Sequence, residues 1–245
     1  MGFFDFFKKD KGTNGKKSSP AAKWAEAAGS KRAQNYDRQE ALNELAAMGT
    51  PEAAEALLKR FTFIIDPSIT DQEEKELAAQ GVLAAGKGAI EPIRAFAAKA
   101  ESVSWPIRLL KEIVEEDEYV EELLRWLSKW DTEYAKFIDP KLQLLEELQE
   151  HKHEKILAAV TPFIADSNET ARLNAVMAAL AQGDKAAVEP LLAQLAEEES
   201  VRVKNKICDG LIQLGASIAE EQRESVRKAL PDRYVVDGSG QIKKG

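Results

Sequence analysis

Cysteine occurs once in 245 residues, at Cys208, and histidine twice, at His151 and His153. A lone cysteine cannot close a disulfide within the chain. No base accompanies it in the sequence, so a small buried thiol is expected rather than a nucleophile. The two histidines stand at i and i+2 in the run EHKHEK, which places them on different faces of a helix and reads as a solvated loop rather than a metal site. The complete phosphate-binding motif G-x-x-x-x-G-K-[ST], the dinucleotide fingerprint G-x-G-x-x-G and the zinc motif H-E-x-x-H are all absent. No catalytic residue, metal ligand or cofactor is therefore expected. No run approaches the roughly 20 apolar residues needed to span a bilayer, and the first residues lack the charge, apolar stretch and cleavage site of a secretory signal. The chain reads as cytoplasmic.

What is abundant is alanine, leucine and charge. Hydrophobic residues make up 44% of the chain and charged residues 31%. Valine, isoleucine and threonine are few beside alanine and leucine, which favours helix over sheet. The charge is unevenly spread. Residues 1–35 carry eight basic and three acidic residues, a net of +5, while the whole chain is −8, so residues 36–245 sum to −13. A basic tail thus precedes an acidic body, and the segment DKGTNGKKSSP has the composition of a linker.

The body repeats. ARLNAVMAALAQG (171–183) has apolar residues at helical spacing and ends in Gly183, and AAVEPLLAQL (186–195) begins a second helix with Pro190 near its start. RQEALNELAAMG (38–49) aligns with the first of these, Arg38 on Arg172 and Gly49 on Gly183, and KELAAQGVLAAG and VKNKICDGLIQLG supply Gly86 and Gly215. The second helices align at AEALLKRF, IEPIRAFA, VEELLRWL, ILAAVTPF and VEPLLAQL, whose last residues are 36, 30, 36 and 32 positions apart. A helix pair cannot bury its apolar stripe alone, so such repeats stack on their neighbours. Leu180, Leu191 and Leu195 are expected between repeats.

A period in the thirties with R-x-x-A-x-x-A-L-x-x-x-G first helices and A-V-E-P-L-L second helices resembles the HEAT-repeat family, especially the short bacterial form described as PBS-lyase HEAT-like. The resemblance covers roughly residues 36–230. It is strongest at 167–215 and weakest at 131–150, where TEYAKFIDP lengthens a connection. It implies an all-α solenoid of about six antiparallel helix pairs, with second helices lining a concave face where a protein partner docks. Around that body we expect a basic tail over 1–19, a capping helix and linker over 20–35 that lays Trp24 on the first pair, and a C-terminal β-hairpin over 231–245 from RYVVDGSGQIKKG.

Two groups of residues are candidates for binding. On the second helices, Arg60, Phe96 and Trp126 fall in one column of the alignment. Trp126 and Trp130 are one turn apart, with Arg125 and Lys129 beside them, and Arg94 precedes Phe96. Tryptophan and arginine are enriched at binding hot spots, although aromatics at this spacing also serve as core, with Trp105 to pack against. At the start, Phe3, Phe4, Phe6 and Phe7 lie beside Lys8 and Lys9, a pairing that suits an anionic membrane surface contacted through residues 1–17 and a peripheral location at the inner face of the membrane. The leading expectation is a non-enzymatic scaffold for a protein partner. The resemblance also admits a bilin chromophore lyase, or a nucleic-acid-binding protein of the DNA glycosylase type. A body of −13 disfavours nucleic acid, because phosphate contacts need clustered lysine and arginine.

Overall fold

The computed structural model describes residues 19–245. These are mostly helical: thirteen α-helices are followed by one two-stranded antiparallel sheet. The chain divides into two compact units between Ala84 and Ala85.

The first unit contains α1 (Ala22–Ala28), α2 (Asn35–Met48), α3 (Pro51–Leu58) and α4 (Ser68–Ala84). Local chemistry sets the ends. Helix α2 stops at Gly49, whose φ of 58° is the left-handed geometry that closes a helix without a Cβ penalty. One residue later Thr50 Oγ1 accepts a hydrogen bond from the Ala53 N–H, and Pro51 supplies the fixed φ of a first helical position. The core is small and aliphatic: Ala41, Leu42 and Leu45 from α2, Ala53, Leu57 and Leu58 from α3, and Ala78 and Val82 from α4 are all buried. Small residues bring the backbones close. Gly81 of α4 lies against Ala46 and Leu57 so tightly that an added Cβ would sit 2.7 Å from the Ala46 Cα. Helix α1 packs on α2 and α3, with Trp24 half-buried and the Lys23 ammonium 3.8 Å from the centre of its ring.

Charge is buried in this unit as well. Glu74 Oε2 accepts from Arg38 Nε at 2.8 Å and from Arg60 Nε at 2.7 Å, and Arg60 Nη2 reaches Asp71 at 2.7 Å. Arg38, Arg60 and Glu74 are each no more than 1% exposed. The Ala33 and Phe63 carbonyls and the Asn35 side chain accept from the other guanidinium nitrogens, which offsets part of the cost of burying these ions, while Glu74 Oε1 is buried without a hydrogen-bond partner.

The second unit runs through α5 (Ile90–Ala97), α6 (Ser104–Ile113), α7 (Glu116–Leu127), α8 (Asp139–Glu147), α9 (Ile156–Val160), α10 (Glu169–Gln182), α11 (Val188–Glu197), α12 (Val201–Gln213) and α13 (Arg223–Ala229). Helix α10 packs against α8 on one side and α12 on the other, while α11 packs against the 3-10 turn Thr161–Ala165 that prolongs α9 and against α13. Pro162, which cannot donate, falls where α9 gives way to that turn. Leu191 and Leu195 are fully buried, whereas Leu180 is half-buried. Buried ion pairs tie successive elements together: Lys141 of α8 to Asp166 at 2.7 Å, and Arg172 of α10 to Glu198 at 2.7 Å. The four glycines aligned in the sequence, Gly49, Gly86, Gly183 and Gly215, all adopt positive φ.

The chain ends in the hairpin β1 (Tyr234–Val236) and β2 (Ile242–Lys244), which pair antiparallel with Val235 opposite Lys243. No strand precedes it among the described residues, and Ser217 forms only an isolated bridge to Gln241. The buried Tyr234 fastens it to α12, where its hydroxyl donates to the Asp209 carboxylate at 2.9 Å.

Candidate interaction site

The connections that follow α5 and α7 come together in the second unit around a cleft of about 310 Å³. Ala97, Ala98, Lys99, Ala100 and Val103 form one wall. Trp126, Lys129 and Trp130 form another, and Pro140 and Leu144 at the start of α8 close it. Local sequence explains the walls. Helix α7 stops at Leu127, and the Lys129 and Trp130 N–H groups turn back onto the carbonyls of Trp126 and Leu127. That tight turn leaves Trp126 5% exposed, Trp130 half-buried and Lys129 exposed. Helix α5 ends in the same manner, with the Lys99 N–H on the Phe96 carbonyl.

Three of the residues expected to bind a partner, Trp126, Lys129 and Trp130, therefore meet in one place, joined by Lys99. Arg94 and Arg125 are nearby in sequence but committed elsewhere. Both bind the buried Glu122, which Arg94 meets through two nitrogens and Arg125 through Nη1 at 2.9 Å. The hydrogen bonds that Arg94 donates to Glu122 raise its pKa further. Phe96 is half-buried and does not line the cleft.

Arg60 requires a correction. It lies in the first unit and is fully buried against Asp71 and Glu74, so it presents no surface to a partner. It falls beyond the end of α3, in the 3-10 turn Lys59–Thr62, where the acids of α4 draw its guanidinium inward. His151 is a second correction. Instead of lying in a solvated loop it is 5% exposed, with Nδ1 against Glu116 and Nε2 3.1 Å from Glu147. Glu147 also accepts from Tyr119 at 2.8 Å and Lys111 at 3.0 Å. Burial raises the Glu147 pKa, but the bonds from His151, Lys111 and Tyr119 outweigh it and hold the carboxyl low. Burial foremost, reinforced by Glu147, drives the Tyr119 phenol far upward. This cluster is an internal brace, because its donors and acceptors satisfy each other.

Cys208 is buried on α12, and burial pushes its thiol up to about 12. It is poorly suited to nucleophilic chemistry, which proceeds through the thiolate. Among the described residues no group of three or more histidine, cysteine, aspartate and glutamate side chains could hold a metal ion, and no helix is long and apolar enough to cross a membrane. Phe3, Phe4, Phe6, Phe7, Lys8 and Lys9 lie outside the described residues.

Lys99 sits two positions beyond the end of α5, and sequence reading gave it no weight. Its signal was its spacing from a helix end matching that of Lys129, which is visible only once both ends are known. Comparison with models of known protein families, with curated proteins and with solved structures finds no match.

Proposed function

We propose that this chain is a non-enzymatic interaction scaffold, built as a HEAT-like solenoid of about six helix pairs, that docks a protein partner at the cleft between Lys99, Trp126, Lys129 and Trp130. The meeting of these four residues carries the reading: a partly exposed tryptophan beside a buried one, with cations at the rim, is the residue mixture that concentrates binding energy. Several features support the architecture. Twelve helices follow α1 in chain order, the repeat glycines share one backbone geometry, and α8, α10 and α12 pack in succession. The buried pairs at Arg38, Lys141 and Arg172 recur early in first helices, as a repeated template requires. The basic start of the chain, a net of +3 over residues 1–17 with four phenylalanines, supports a peripheral location on an anionic membrane through those residues.

Affinity capture with the full-length protein tests the docking reading. The same proteins should be retained by the parent and lost on Trp130→Ala combined with Lys129→Glu. Capture indifferent to those changes would move the site elsewhere, and no specific capture would end the scaffold reading. Co-sedimentation with anionic vesicles tests the location. Binding should weaken with salt and disappear on replacing Phe3 and Phe7 by Ser.

A further inference from the structure

The side chains around the cleft have a one-sided chemistry. Six of the ten, Ala97, Ala98, Ala100, Val103, Pro140 and Leu144, are apolar. The other four are Lys99, Lys129, Trp126 and Trp130, and every polar group they carry is a hydrogen-bond donor: lysine and the indole N–H donate and accept nothing. None of these four finds an ion-pair or hydrogen-bond acceptor for its side chain among the described residues. No carboxylate lines the cleft, although the body from residue 36 onward is −13.

The lysines' positions just past the ends of α5 and α7 suit the negative end of a helix, and that explains why cations are tolerated there. It does not explain the absence of any side-chain acceptor beside them. The occupant that complements this lining has an apolar body and brings acceptors, preferably charged ones, to its edges.

The geometry points to an acidic peptide segment of a partner protein. One large apolar side chain would seat between Trp126 and Trp130, and flanking carboxylates would reach Lys99 and Lys129. A volume of about 310 Å³ is at the lower end for a small-molecule site and is open at the rim. The connection between Trp130 and Pro140 presents Tyr134 and Phe137, 84% and 74% exposed, with Lys136 alongside the Phe137 ring. A chain leaving the cleft would therefore meet further aromatic surface, which a small ligand would not use. Lys136 is the only cation of a connection that also exposes Asp131, Glu133 and Asp139, so the acidic contacts of the occupant belong at Lys99 and Lys129. This inference rests on the docking role proposed above and specifies what docks.

Selection of a displayed random-peptide library on the full-length protein tests it. Enriched peptides should carry aspartate or glutamate next to a large apolar residue. Resynthesised, they should bind more weakly at high salt and about tenfold or more weakly on Lys99→Glu with Lys129→Glu. Both lysines are exposed, so this variant should stay folded with only a small drop in melting temperature from placing glutamates at two helix C-termini, and it remains informative even if Trp130→Ala perturbs the fold. The indole N–H resonances of Trp126 and Trp130 should shift on binding. A neutral or basic consensus that still depends on Trp130 would overturn the acidic chemistry and leave the docking role standing. Peptides indifferent to both the lysine pair and Trp130 would overturn the inference at this cleft, while capture of whole proteins would judge the scaffold reading separately.

Discussion

Arg172 holds Glu198 at two points, Nε to Oε2 at 2.7 Å and Nη2 to Oε1 at 2.8 Å. The carboxylate is 4% exposed and also accepts from the Ser200 N–H at 2.9 Å and Gln194 Nε2 at 2.8 Å. It thereby ties α10 to the turn that starts α12, where Ser200 caps the helix by accepting from the Val203 N–H. Lys141 and Asp166 do the same earlier in the chain, joining α8 to the turn before α10.

This pair gives the second unit an acid-sensitive joint. Burial raises the Glu198 pKa, but the bonds from Arg172, Ser200 and Gln194 outweigh it, so the folded value lies below the ordinary 4.5. A group depressed on folding stabilises fully above its unfolded pKa, and that contribution is lost as pH falls through the folded one. Stability should therefore be flat near neutrality and decline below about pH 4.5. Glu198→Gln should cost about 2–3 kcal/mol at neutral pH, less than a wholly buried pair because Arg172 keeps some solvent contact, and should make the acid decline shallower. Urea melts of both proteins across the acid range check this. Parallel pH curves would assign the decline to other carboxylates.

In the first unit, Glu74 bridges Arg38 and Arg60, and all three are sealed from solvent. Glu74→Ala should cost about 3–5 kcal/mol, because it leaves two buried guanidiniums without their shared acid. Arg60→Ala should likewise lower the melting temperature and leave partner capture by the remaining folded protein unchanged. An unaltered melt with lost capture would restore Arg60 to the docking surface.

The difference between what could and could not be read in advance lies in sequence distance. Gly49, Gly86, Gly183 and Gly215 were legible because a left-handed helix stop is a local requirement. The hairpin was legible because Asp237 and Gly238 separate two β-rich runs. Arg60 was misplaced because Asp71 and Glu74, 11 and 14 residues away, decide where its side chain turns. His151 was misread for the same reason, since Glu116 is 35 residues distant. The cleft was half legible: Trp126, Lys129 and Trp130 share one helix end, but Lys99 and Pro140 reach it only through the packing of α5 and α8.

Trp126 and Trp130 should separate stability from binding. Trp126 is 5% exposed and touches the core, so Trp126→Ala should cost about 3–5 kcal/mol. Trp130, half-buried at the rim, should cost much less on truncation yet weaken partner binding by about 2 kcal/mol or more. Thermal melts and titration with a captured partner measure the two effects. Equal stability losses would make both rings core.

Two helical glycines test how closely the helices approach. Gly81 and Gly210 both lie inside helices, where alanine is intrinsically better by about 1 kcal/mol. At Gly81 the new methyl would meet the Ala46 Cα at 2.7 Å and its Cβ at 2.8 Å, with Leu57 Cδ1 at 2.5 Å. Backbone on one side and a fully buried leucine on the other leave nowhere to move, so overpacking should exceed the propensity gain by about 1–3 kcal/mol. At Gly210 the three nearest atoms to the methyl all belong to Leu180, Cδ1 and Cδ2 at 2.3 Å and Cγ at 2.8 Å. Leu180 is half-buried and can change rotamer toward solvent, so the clash is relieved at small cost. Gly81→Ala should therefore lower the melting temperature while Gly210→Ala leaves it unchanged or slightly raised. A tolerated Gly81→Ala would mean that α2 and α4 lie farther apart than these contacts place them.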